Sequence, residues 1–63
     1  MSVKQSIQAF LQAVEHKFGR DVRENTRVTH AGGVQLVLRR PNMKQHIIDL
    51  GSLRLMTQQL LKS

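Results

Sequence analysis

The hydrophobic period of this chain changes once, and the change divides its 63 residues into two kinds of structure. Up to Phe18 the apolar residues recur at steps of three and four: Val3, Ile7, Phe10, Leu11, Val14 and Phe18. Wound as a helix, they fall within a stripe about 100° wide, the width that lies on a core. Lys4, Gln5, Gln8, Gln12 and Glu15 take the other side. From Thr26 onward apolar and polar residues alternate, which is the period of a half-buried strand.

A helix is therefore expected over residues 2–18. Ser2 suits its N-cap and Gly19 its left-handed C′ position. His16 and Lys17 lie in the last turn, where positive charge complements the helix dipole. Residues 19–25 are polar and read as a connection. A hairpin comes next over 26–40, with glycines in Ala31-Gly32-Gly33 supplying the positive φ of a tight turn. A three-residue loop pairs His30 with Val34, Val28 with Leu36 and Thr26 with Leu38 on the core face. The other face then pairs Thr29 with Gln35, Arg27 with Val37 and Asn25 with Arg39.

Pro41-Asn42 ends the second strand. Two courses remain open for residues 43–62. One is a single helix over 43–62 with Gly51 in its interior. The other makes Gln45–Leu50 a third strand with His46, Ile48 and Leu50 facing in, then caps a helix over 53–62 with Ser52. Ile47-Ile48 and Gly51-Ser52 favour the second course. Both give one α+β domain over 1–63: an N-terminal helix, a small antiparallel sheet of two or three strands and a C-terminal helix, with the helices on one face of the sheet.

A chain this short exposes much of its surface. It has no cysteine, which rules out disulfides and thiolate zinc sites. Phe10 and Phe18 are its only aromatics, so the core must be aliphatic. A homodimer is expected, because association buries apolar area that one copy cannot. No apolar leader opens the sequence and no stretch is long enough to span a bilayer, so a cytoplasmic location without membrane contact is expected.

The net charge of +6 is concentrated. Lys17, Arg20, Arg23, Arg27, Arg39, Arg40 and Lys44 share their segment with Asp21 and Glu24 alone, a local +5. Such a field attracts polyanions. Arg27, Arg39, Arg40 and Lys44 are the candidate phosphate contacts, and Lys17, Arg20 and Arg23 supply steering charge. Four or five neutralised phosphates would give a log K against log salt slope of roughly −4. Single-stranded sites stack bases on aromatic rings. None lies beyond Phe18, so a duplex is the preferred partner.

His16, His30 and His46 show no metal-ligand spacing, and no metal or other cofactor is expected. The four carboxylates show no acid/base pairing. The remaining surface is the leucine-rich C-terminus, where Leu53, Leu55, Met56 and Leu60 are candidates for an interface with a second copy or another protein.

One family resemblance attaches to the order helix, His30-bearing hairpin, Arg39-Arg40-Pro41 turn and Gly51-Ser52-Leu53-Arg54 helix start. It loosely resembles the small mRNA-cleaving toxins of the HicA type, at about six scattered positions. That resemblance implies a compact fold similar to double-stranded-RNA-binding domains, with His30 in the histidine position of the family's Gly-Ser-His segment. Val28 and Thr29 stand where the glycine and serine belong, so the departure falls on the active segment itself.

The leading expectation is a small non-enzymatic nucleic-acid-binding protein, a compact regulator or accessory factor of bacterial or phage type. The alternatives are an inhibitor or adaptor that docks through its C-terminal Leu/Met surface, with its positive face meeting an acidic protein partner, and a small ribonuclease using His30.

Overall fold

The computed structural model describes residues 2–62. Its elements are α1 (Val3–Phe18), α2 (Arg20–Glu24), β1 (Arg27–Gly32), β2 (Gln35–Arg39), β3 (His46–Asp49) and α3 (Leu50–Lys62). The strands form one antiparallel sheet in the order β1-β2-β3. The fold class is α+β, and the sheet has three strands.

α1 begins where its sequence says it should. The Ser2 hydroxyl accepts the Gln5 N–H at 3.1 Å and the Gln5 side chain accepts the Ser2 N–H at 3.1 Å, a reciprocal capping box. Gly19, at φ +98°, closes the helix by donating its N–H to the Glu15 carbonyl. Phe10 and Val14 are buried, while Val3, Ile7 and Leu11 pack partly against them. Phe18 does not continue the buried stripe and is 54% exposed.

Residues 20–24 are helical and not an irregular connection. The side chains of Asn25 and Thr26 donate to the carbonyls of Asp21 (2.8 Å) and Val22 (2.7 Å) and satisfy the end of this short helix. Val22 turns toward the core.

The hairpin keeps the expected faces but not the expected partners. Arg27 lies opposite Arg39, Val28 opposite Leu38, Thr29 opposite Val37 and His30 opposite Leu36. The pairing is offset by two residues from the expected one, so side-chain parity survives. The cause is an irregularity between His30 and Gly32 that moves the turn to Gly33-Val34. Gly32 and Gly33 take φ of +135° and +53°, values a side chain disfavours. His30 Nε2–H donates to the Gly33 carbonyl at 2.8 Å, and Leu50 N–H to the Val34 carbonyl at 2.9 Å, which ties the hairpin tip to α3.

β3 pairs with β2, setting Ile48 beside Leu36 and Ile47 beside Val37. His46, in register with the core row, is exposed on this edge strand. α3 then starts without a loop. Its N-terminal side-chain cap is Asp49 and not Ser52: the Ser52 N–H donates to Asp49 Oδ1 at 2.7 Å. Hydrogen bonds from the Ser52 backbone, and then from its side chain, hold the Asp49 carboxyl below its ordinary value. Gly51 consequently sits inside the first turn of α3.

α1 packs on α3, and Phe10, Val14, Leu36, Leu38 and Leu53 form one core between the helices and β2. Arg27, Thr29, Val37, Arg39 and Ile47 alternate onto the opposite face of the sheet. That face is open, with Ile47 72% exposed.

Candidate functional site

The expected basic patch divides into two places. Strand alternation sends Arg39 to the open face of the sheet, directly across from Arg27. Both are exposed, and with Glu24 and Asn25 they line a shallow polar recess. Among the described residues neither guanidinium forms an ion pair. Arg23, by contrast, is engaged: its Nε lies 3.6 Å from Glu15 Oε1, with both side chains partly exposed. Arg20 is exposed on α2 and Lys44 on the β2–β3 connection.

Arg40 belongs elsewhere. Its neighbour Arg39 faces outward, and one residue further the chain turns toward the helices. Arg40-Pro41-Asn42-Met43 is a turn closed by Met43 N–H donating to the Arg40 carbonyl at 3.2 Å. Pro41 sits at its second position and Asn42, at φ +61°, at its third, which is the pattern of a type II turn. This turn brings Arg40 and Met43 to a cavity of about 520 Å³ beside the C-terminal ends of α1 and α3. Its walls are mainly apolar: Phe10, Val14, Val22, Met43, Met56 and Leu60. Lys17 and Phe18 also line it, with the Lys17 ammonium 5.9 Å from the Phe18 ring centroid. Arg40 Nε is buried and has no hydrogen-bond partner among the described residues.

The C-terminal interface candidates also separate. Leu53 is fully buried in the core and offers nothing to a partner. Met56 and Leu60 are partly buried and serve the cavity. Leu55 is 56% exposed and Leu61 61% exposed.

His30 is held at the hairpin tip by its bond to Gly33, which requires a proton on Nε2. It lies three residues along β1 from Arg27, roughly 10 Å at strand rise, and its parity is that of the covered face. The fold therefore does not assemble His30 with the Arg27–Arg39 pair. No group of three or more metal-ligating side chains occurs among the described residues. No helix there is long and apolar enough to cross a membrane.

The cavity was not legible in the sequence. Its walls come from α1, α2, the β2–β3 turn and α3, and the one local signal was the Pro41-Asn42 turn. No family model matches the chain, and neither a curated protein nor a solved structure matches it.

Proposed function

We propose that this is a small non-enzymatic nucleic-acid-binding protein that holds the phosphate backbone of a duplex through Arg27 and Arg39. Lys44, Arg20 and Arg23 add attraction at longer range, while Arg40 and Lys17 leave the contact set. The observation that carries the proposal is the cross-strand juxtaposition of two arginines on an uncovered sheet face. Like charges directly opposite each other disfavour a sheet. A phosphate between them reverses that sign, and each planar guanidinium can donate two hydrogen bonds to it. Thr29, Val37 and Ile47 continue the same face as a small, largely apolar strip without aromatic rings. That composition suits contact with a backbone or groove wall better than stacking on splayed bases.

Fluorescence polarisation with duplex DNA, duplex RNA and single strands of one sequence tests the proposal. A duplex is expected to bind with Kd below about 100 μM, inside the range of non-specific binders, and more tightly than the single strand. Absence of salt-dependent binding, or a preference for single strands, refutes it.

Self-association belongs to the same proposal. Leu55 and Leu61 leave apolar surface on α3 that a second copy can bury. Sedimentation equilibrium should give a dimer that Leu55→Glu dissociates; a monomeric wild-type protein would remove this element.

A further inference from the structure

We propose that the cavity between α1, α2, α3 and the Arg40–Met43 turn is a second binding site, for a small amphipathic carboxylate. The ligand is an apolar chain of medium length that enters tail first and leaves its anionic head at Arg40.

Three observations converge on that chemistry. The recess, about 520 Å³, has the volume of small-molecule sites. It runs from the exposed Phe18 and Met43 to the buried Phe10 and Val14, a depth that suits a chain entering end-on. Its walls are apolar, with Met43 and Met56 able to adjust to ligand shape. The polar requirement is then set by Arg40. Its guanidinium lines the recess; Nε is shielded from solvent, which leaves the terminal N–H groups to meet an acceptor. A carboxylate can approach a guanidinium end-on and accept two parallel hydrogen bonds from its terminal N–H groups. Lys17 adds positive charge to the same lining. An apolar ligand without a head leaves Arg40 unpaired, and a cationic amphiphile meets two like charges.

This site is independent of the Arg27–Arg39 pair, which lines a different recess. Its test is a titration of the full chain, monitored by amide signals in a nitrogen–proton NMR spectrum. The probes are decanoate, decanol and decyltrimethylammonium, each below its micellar range. Decanoate is expected to saturate with the largest shifts around Val22, Met43 and Leu60. Decanol should bind at least tenfold more weakly, and the cationic probe should leave those signals unmoved. Arg40→Gln should weaken decanoate at least tenfold. Arg54→Gln removes one exposed charge outside the cavity and should leave the affinity within twofold. Both variants are checked for a wild-type pattern of amide signals beforehand. The proposal is overturned by any of three results: decanoate gives no saturable shifts at the cavity, decanol binds as tightly, or Arg40→Gln and Arg54→Gln weaken binding equally.

Discussion

Replacing Arg39 by Gln should make the folded protein more stable while weakening its hold on a polyanion. Arg39 faces Arg27 across the antiparallel pair. Directly opposed Cβ atoms are about 5 Å apart, and two unit charges about 7 Å apart set the scale of the repulsion. In water that separation costs about 0.6 kcal/mol before screening. Screening leaves about 0.5 kcal/mol at 0.01 M salt, about 0.25 kcal/mol at 0.15 M and almost nothing at 1 M. For a domain of this size 1 kcal/mol moves Tm by about 4–8 °C, so the variant should melt about 2–4 °C higher at the lowest salt. Glu24 lines the same recess and offsets part of the repulsion, so these figures are upper values. Circular-dichroism melts at the three salt concentrations measure the effect. A Tm that falls at low salt, or a gain of equal size at 1 M, would refute the electrostatic reasoning, because a screened like-charge pair produces neither.

Leu53→Ala empties a fully buried position in the middle of the core and should cost about 2–5 kcal/mol. Total stability for a chain this size is only about 3–9 kcal/mol, so urea denaturation should show a partly unfolded baseline or a sharply lowered midpoint. Ser6 Oγ is buried without a hydrogen-bond partner among the described residues, so Ser6→Ala should raise stability by about 0.5–2 kcal/mol, read as a higher urea midpoint. The folded pKa of Asp49 lies below its unfolded value, so its contribution to stability is present above the unfolded pKa, near 3.8, and is lost as pH falls through the folded pKa. Asp49→Asn should therefore lower Tm at pH 7 and by progressively less as the pH falls below 3.8; an equal loss at every pH would show that the charge is not what caps α3.

The parts of the fold that were legible are those whose information is local. The stripe from Val3 to Val14 and the Ser2–Gln5 box name α1 and its start without reference to anything else. The hairpin faces were also legible, because alternation assigns parity. Register was not, since an irregularity beside Ala31 shifts every pair by two and leaves the faces unchanged. α2 is too short to show a helical period, and its end depends on two side-chain bonds from Asn25 and Thr26. At the start of α3 the sequence pointed to Ser52 as the cap, but the direct passage from β3 into the helix starts α3 at Leu50 and gives the role to Asp49. The same limits governed the candidate site. Arg39 and Arg40 are adjacent in sequence and were grouped, yet they serve different recesses because Arg39 ends a strand on its outer face and Arg40 begins a turn. The cavity draws on four separate segments, so no window of sequence contains it.

The central claim is that Arg27 and Arg39 together meet phosphate. Its most direct test is the slope of log K against log salt for duplex binding, measured for the wild-type protein and for the double variant Arg27→Gln/Arg39→Gln. Two phosphate contacts contribute about −1.8 to the slope, so the variant should be shallower by about that amount, with weaker binding at every salt concentration. An unchanged slope in a folded variant would contradict the claim and move the phosphate contacts away from the sheet face.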